Sequence, residues 1–405
     1  GKRGFRLTVA GGTAILCRSG HELASFVPAN DILAYAEAVL RVFDREGDRI
    51  HRQKNRLKFL VRQLGWDAFR ERVEVELAAV RAAGAPTLPF DPEAPPVRSA
   101  PPVSRAPAPT RDALLALLEG DAPRGPGFLP RALPVLGDER GERFRRTNVR
   151  PQRQAGYSLV SIVLPLGDVT VGRLRALAAL SRAYADGAVR FTPSQNVAFH
   201  WVRDEDIAPL YEHLRALSLG EPDEGSVADV GSCPGAETCK LAVTQSRGAA
   251  QLLGEAFRAD RAFVDRAAGL HIRISGCPNG CGLHHVAPIG LQGGMRKIAG
   301  RAAPFYTVYA GAAVAGDATF GRIVGKVPAR RVVDVVRALV ASYEEHRQEG
   351  ERADEYLARA STAELRAVIA PLEAIDGESA NPEDFVDIGD QEAFRGETSE
   401  GECAS

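Results

Sequence analysis

The chain repeats itself at an offset of 300 residues. Phe5, Ala10, Gly11, Val27, Pro28, Ala29 and Ala38 return as Phe305, Ala310, Gly311, Val327, Pro328, Ala329 and Ala338. The order of features returns with them: an apolar strand with glycine ("FRLTVAGG" and "YTVYAGAA"), a variable loop, Val-Pro-Ala, then a long amphipathic helix. An ordered set of matches of this kind is an internal duplication, so any fold must be built twice. The copies are unequal in what precedes them. In the second, about 155 residues from near Asn148 to Ala303 lead into the shared segment, whereas four residues do so in the first. The expectation is that the chain opens deep inside a repeat, with most of repeat one lying upstream of Gly1; the only methionine, Met295, fits a missing start.

Composition narrows the function classes. The 405 residues exceed one ordinary domain, and 45% are hydrophobic, enough for sizeable cores. With 51 basic and 52 acidic side chains the formal charge is -1, which gives no support to nucleic acid or a membrane surface as a partner. No apolar run approaches the roughly 20 residues needed to span a bilayer. Residues 86–109 hold nine of the 26 prolines and read as an extended linker, with "RDALLALLEGD" as a short helix within or after it. Order resumes near Gln154. "YSLVSIVLPLG" is a buried strand and "VGRLRALAALSRAYA" a helix. "AVRFTPSQNVAFHWV" is two strands or one bent strand, and "DEDIAPLYEHLRALSL" a second helix, so the segment predicts a small α+β layer. Past Ile375 the tail has ten acidic residues and one arginine, the composition of a disordered or loosely attached end.

Six cysteines in so long a chain are not a disulfide scaffold, and four of them cluster: "SCPGAETC" and, 37 residues on, "SGCPNGCG". Cys233-x5-Cys239 followed by Cys277-x3-Cys281 suits a metal centre in a reducing compartment, the cytoplasm being the expected one. Zinc knuckles use shorter, self-contained spacings, which favours an iron-sulfur cluster while leaving zinc as the other reading. Gly235, Gly276, Gly280 and Gly282 let the main chain approach a negatively charged cluster and present N–H donors to it, and Asn279 tolerates a left-handed turn. Cys17 and Cys403 lack partner spacing and read as a buried apolar cysteine and a tail thiol.

With the duplication, "RFTPSQN" and "GFRLTVAGG", this four-cysteine pattern resembles the assimilatory nitrite and sulfite reductase family, haemoproteins with sirohaem and a 4Fe-4S cluster. The resemblance implies a duplicated α+β architecture with the first repeat truncated. Its parts would be residues 1–85 (end of the first repeat), 86–147 (linker), 148–220 (ferredoxin-like half-domain), 221–373 (4Fe-4S and sirohaem domain) and 374–405 (acidic tail). It implies that Cys233, Cys239, Cys277 and Cys281 hold the cluster and that Cys281, as the axial ligand of sirohaem iron, is the catalytic cysteine. The reaction implied is six-electron reduction of sulfite to sulfide or nitrite to ammonia. Electrons would come from ferredoxin or a flavoprotein, and the anion would be held by groups in the missing N-terminal half. Sirohaem carries eight carboxylates and demands Arg, Lys, Asn and Gln donors. Arg190, Thr192, Gln195, Asn196 and Asn279 are the candidates near the motifs, and Arg52 and Asn55 those in the basic run "RIHRQKNRLK", whose other reading is a solvated helix face. His284 and His285 are expected to hydrogen-bond rather than ligate iron. Leu283 stands where family members often carry Gln. A precorrin-3B synthase-like enzyme, and a non-catalytic protein bearing zinc or a cluster, are the rival functions.

Overall fold

The computed structural model describes residues 2–51, 54–94, 105–121, 139–313, 318–375 and 381–396. Two compact units are present, one made of residues 2–94 with 278–280 and one built on the described residues of 105–277 and 281–396.

The first unit opens with antiparallel strands β1 (Gly4–Val9) and β2 (His21–Pro28), followed by helices α1 (Ile32–Glu46), α2 (Leu57–Leu64) and α3 (Trp66–Ala82). Ala34, Ala38 and Val42 on α1, and Phe69, Val73, Leu77 and Val80 on α3, recur at helical spacing and form one apolar core with Leu60 and Val61 of α2. Gly65, at φ 82°, gives the left-handed step that ends α2 and lets α3 begin at once.

The second unit has two sheets. Strands β3 (Val149–Pro151), β4 (Tyr157–Ile162), β5 (Arg190–Phe191) and β6 (Val197–Arg203) form an antiparallel sheet in the order β3-β4-β6-β5. Its core joins Val160, Ile162, Val197 and Phe199 to Leu177 and Leu180 of α6 (Val171–Tyr184) and Leu210 and Leu214 of α7 (Ile207–Ala216). The Thr170 side chain accepts from Arg173 N–H and starts α6. The bent stretch around Pro193 resolves into two strands, because Gln195 N–H donates to Thr192 O at 3.0 Å and closes a turn between them.

Strands β7 (Gly231–Ser232), β8 (Ile272–Ser275), β9 (Ile289–Ile298), β10 (Arg301–Ala310) and β11 (Arg322–Pro328) build the larger sheet, ordered β11-β10-β9-β8-β7. β7, β8 and β9 run parallel; β9, β10 and β11 are antiparallel. Its core includes Leu253 and Phe257 of α8 (Ser246–Arg258), Val264 of α9 (Arg261–Arg266), Leu339 of α10 (Val332–His346), Leu357 of α11 (Ala353–Arg359) and Leu365 of α12 (Thr362–Ile369).

The duplication is visible in three dimensions. Ala29–Asp31 and Ala329–Arg331 are both single 3-10 turns, and α1 and α10 are both 15 residues long, beginning 300 positions apart. The copies differ at one strand edge: β10 pairs with both β11 and β9, whereas among the described residues β1 pairs with β2 alone. Phe5 is 50% exposed, and its counterpart Phe305 is 3% exposed.

Two expectations are corrected. Of the stretch assigned to the linker, α4 (Arg111–Ala116) and α5 (Glu139–Asn148) place Leu114 and Phe144 in the half-domain core. Within the acidic tail, residues 381–396 are ordered. Phe385 packs with Ala303 and Phe305, Ile388 joins the main core, and the Asp387 carboxylate accepts from Gln245 N–H at 2.7 Å. Two buried apolar residues of the tail, Phe385 and Ile388, outweigh its charge. Cys403 lies outside the described residues. No described helix is long and apolar enough to cross a membrane.

Candidate metal centre

Parallel strands aim their carboxyl ends at one edge of a sheet, where the loops that follow gather. Cys233 comes straight after β7, and Cys277 two residues after β8; Cys233 N–H extends the ladder by donating to Ile274 O at 3.0 Å. The two cysteine loops are bound together through glycine. Gly276 O accepts from both Val243 N–H (2.8 Å) and Thr244 N–H (3.1 Å), and Thr244 O accepts from Ala236 N–H at 3.0 Å. A Cβ on Gly276 would fall 2.7 Å from Thr244 O and 3.1 Å from Gly235 Cα, so the contact requires glycine. Gly235 itself has φ 64°, a conformation that L side chains rarely adopt.

Sulfur already has protein donors here. Gly276 N–H donates to Cys233 Sγ at 3.2 Å, and Ser246 Oγ lies 3.3 Å from the same sulfur while donating to Cys233 O at 2.9 Å. Cys233 and Cys277 are buried, Cys239 is half-buried and Cys281 is exposed. Among the described residues no three Cys, His, Asp or Glu side chains are gathered into a single-ion site. A tetrahedral zinc site would need sulfurs about 3.8 Å apart. The donor set fits a 4Fe-4S cluster on two counts: four cysteines on two joined loops, and a main-chain N–H aimed at a sulfur.

Charged and polar side chains brace both loops. Arg247 bonds Glu237 of the first loop at 2.7 Å, Leu166 O at 3.2 Å and the Asp168 carboxylate, fastening that loop to the half-domain. Burial holds the Asp168 carboxyl above its usual range despite Arg247. In the second loop, Ser275 Oγ accepts from Gly282 N–H at 3.0 Å and lies 2.7 Å from His284 Nδ1. His284 is pushed down to about 3, first by burial and then by neighbouring His285, so its imidazole is neutral at physiological pH. Both rings pack on Tyr309, each with its centroid 5.0 Å away.

The half-domain residues expected to face a cofactor have other partners. Gln195 donates Nε2 to Ser232 O (2.8 Å) and accepts Ser232 N–H on Oε1 (3.0 Å), pairing with the end of β7 as another strand would. Asn196 accepts Leu164 N–H on Oδ1 (2.9 Å) and donates Nδ2 to Asp229 (2.7 Å). Both amides are engaged within the protein and join the two sheets. Arg190 forms a two-point pair with Asp186 at 3.0 and 2.6 Å, and Thr192 Oγ1 accepts from Asn196 N–H. Asn279 is half-buried in the turn between Cys277 and Cys281.

In the other unit, Arg52 lies outside the described residues, and Asn55 has a buried Oδ1 with no hydrogen-bond partner among them. α2 begins at Leu57, and Lys58 at the end of the basic run is no solvated side chain: it is 2% exposed and donates to the carbonyls of Thr13, Ile15 and Leu16. Arg247, Asp229 and Ser275 escaped sequence reading because each is an isolated polar residue outside a recognisable spacing. For Ser275, its place beside Gly276 was the only signal.

Comparison with known proteins agrees with this geometry. The "Nitrite and sulphite reductase 4Fe-4S domain" family matches residues 1–80 and again 224–374, and the "Nitrite/Sulfite reductase ferredoxin-like half domain" matches residues 150–217. The ferredoxin–nitrite reductase of Synechococcus elongatus is 29% identical over 78% of this chain and 52% of its own length. Sulfite reductase [ferredoxin] 2 of Mycolicibacterium paratuberculosis is 28% identical over 90% of this chain and 57% of its own. The solved structure of the Mycobacterium tuberculosis NirA protein superposes with a TM-score of 0.63 at 26% identity, covering 90% of this chain and 58% of that one. The chain spans about half the length of the curated relatives it matches. One domain family matching twice, around a half-domain and a four-cysteine centre, places the chain in the nitrite and sulfite reductase family of oxidoreductases, whose cofactors are sirohaem and a 4Fe-4S cluster.

Proposed function

We propose that this chain carries electrons to the anion-reducing centre of a ferredoxin-dependent nitrite or sulfite reductase, with Cys233, Cys239, Cys277 and Cys281 holding the cluster and Cys281 also bound to sirohaem iron. The observation that carries this reading is the joining of the two cysteine loops through Gly276 beyond the ends of β7 and β8. When bound, sirohaem and the cluster would supply an iron for the anion and a source of its electrons. The chain's own residues hold and orient. Gly276 N–H stabilises negative charge on Cys233 sulfur, and Arg247 keeps the first loop in place. The exposure of Cys281 supports its assignment as the bridging thiolate, since that sulfur must reach a second group.

Asn279, Thr192, Arg52 and Asn55 remain the proposed sirohaem contacts, with the unpaired Asn55 Oδ1 suited to a protonated or amide-like group. Arg190 would have to exchange Asp186 for a cofactor carboxylate. Ferredoxin as donor, and nitrite or sulfite as substrate, follow the names of the relatives. A reducing cytoplasm, where thiols stay reduced, is the matching compartment.

Anaerobic reconstitution of the whole chain with iron, sulfide and sirohaem tests the reading. Four irons and four sulfides per chain are expected, with sirohaem absorption that shifts when Cys281→Ser is made. A colourless chain carrying one zinc ion would overturn it.

A further inference from the structure

The loop from Ser275 to Gly282 carries two of the four cysteines and is anchored at both ends. At its start, Gly276 O accepts two N–H bonds from the first cysteine loop. Its end is held differently, by a side chain. Ser275 is the last residue of β8 and fully buried, and its Oγ accepts the Gly282 N–H at 3.0 Å. The same hydroxyl lies 2.7 Å from Nδ1 of His284, which is also fully buried. Gly282 packs so tightly on the end of β8 that a Cβ would stand 1.8 Å from Ile274 O. The His284 main chain is pinned too, since a Cβ on Gly290 of β9 would come within 1.9 Å of His284 O. Between the two anchored residues, Leu283 is held at φ 62°, a left-handed conformation costing a branched side chain about 1–2 kcal/mol. Such strain persists only where the surroundings determine it. Burying a hydroxyl and an imidazole to fill space would be worse than burying leucine, unless their hydrogen bonds do something.

We propose that Ser275 and His284 form a positioning pair that holds the loop closed and thereby sets the separation of Cys277 and Cys281. His284 Nδ1 fixes the direction of the Ser275 hydroxyl. That hydroxyl in turn holds the Gly282 N–H, the first donor after Cys281. The consequence for the metal centre rests on the assignment of the cluster to these cysteines; the closure of the loop does not.

The test uses the full chain and the variants Ser275→Ala, His284→Gln and His284→Asn. An asparagine amide reaches the position of Nδ1, whereas a glutamine amide lies one carbon farther out, so the two amides separate the pair's geometry from its polarity. Two quantities are read: hydrogen exchange at the Gly282 amide in the metal-free chain, and the rate of cluster loss to an iron chelator after reconstitution. Ser275→Ala and His284→Gln are expected to speed both by about 10- to 100-fold, the range for residues that orient metal ligands. His284→Asn should stay within a few-fold of the unaltered chain. Unchanged exchange in Ser275→Ala overturns the proposal, as does His284→Asn behaving like His284→Gln in chains that melt normally. If the unaltered chain takes up no cluster while Ser275→Ala still frees the Gly282 amide, the pair stands and the cluster assignment falls.

Discussion

Asn196 donates Nδ2 to Asp229 Oδ2 at 2.7 Å, joining the turn before β6 to the segment that enters β7, with both side chains buried. The same amide accepts Leu164 N–H, and the same carboxylate accepts Gly225 N–H at 2.9 Å. One side-chain pair therefore satisfies two main-chain donors where water has little access. It fastens the half-domain sheet to the strand that presents Cys233.

Asn196→Ala is expected to destabilise the chain by about 2–4 kcal/mol, because it leaves Leu164 N–H unpaired in a buried place and strips the Asp229 carboxylate of one of its two donors. Asn196→Asp should be worse still at neutral pH, where it sets two carboxylates against each other, and should recover as the pH falls. Urea unfolding of the two variants at neutral and mildly acidic pH measures both effects. Equal stability of Asn196→Ala and the unaltered chain would remove this junction from the account.

The contact between the cysteine loops makes a steric prediction with an internal control. A methyl on Gly276 meets main-chain atoms, Thr244 O and Gly235 Cα, that have no rotamer by which to move away. Gly294, on β9 opposite Phe305, would bear a Cβ with nothing within 4 Å. Gly276→Ala is expected to part the loops and abolish stoichiometric iron uptake, while Gly294→Ala should load fully and melt within a few degrees of the unaltered chain. Iron and sulfide analysis after reconstitution distinguishes the two.

What could be read without coordinates was whatever leaves a pattern along the chain. The duplication survives as aligned residues, and α1 and α10 begin 300 positions apart as read. The four cysteines announce themselves by spacing, and their loops do meet. The partners of Gln195 and Asn196 were not legible, because an amide offers a donor and an acceptor and looks the same in sequence whether it serves a cofactor or a strand end. Lys58 sat in a run of basic residues and was read with them, yet three carbonyls of a distant loop claim its ammonium group. In the tail, ten acidic residues outweighed Phe385 and Ile388 in composition but not in energy, since burial is decided by what a few apolar groups can cover. Each of these cases concerns a contact between residues far apart in sequence, where periodicity carries no information.

Two buried carboxylates predict how stability changes with pH. Burial raises Asp229 from 3.8 to about 6, although Gly225 N–H and Asn196 pull the other way, and it raises Asp387 to about 6 against the N–H groups of Gln245 and Ile388. An acid whose folded value lies above its unfolded value binds its proton more tightly when folded. Its stabilising share is complete below about pH 4 and is lost as the pH rises to about 6. His271 and His284, pushed down to about 4 and about 3, oppose this by losing stability as the pH falls below their unfolded value of 6.5, so the unaltered chain alone shows only the sum. Asp229→Asn keeps an acceptor for Gly225 N–H and removes one titration. Relative to the unaltered chain, it should therefore gain roughly 2–3 kcal/mol between about pH 4 and pH 6, and hold a constant difference above that. Asp387→Asn should show the same rise from its separate site beside Gln245, and the two increments should add in the double variant, because the residues share no partner. Denaturant unfolding across that range reads the difference directly, and a flat difference would mean that Asp229 enters the folded state with an ordinary proton affinity.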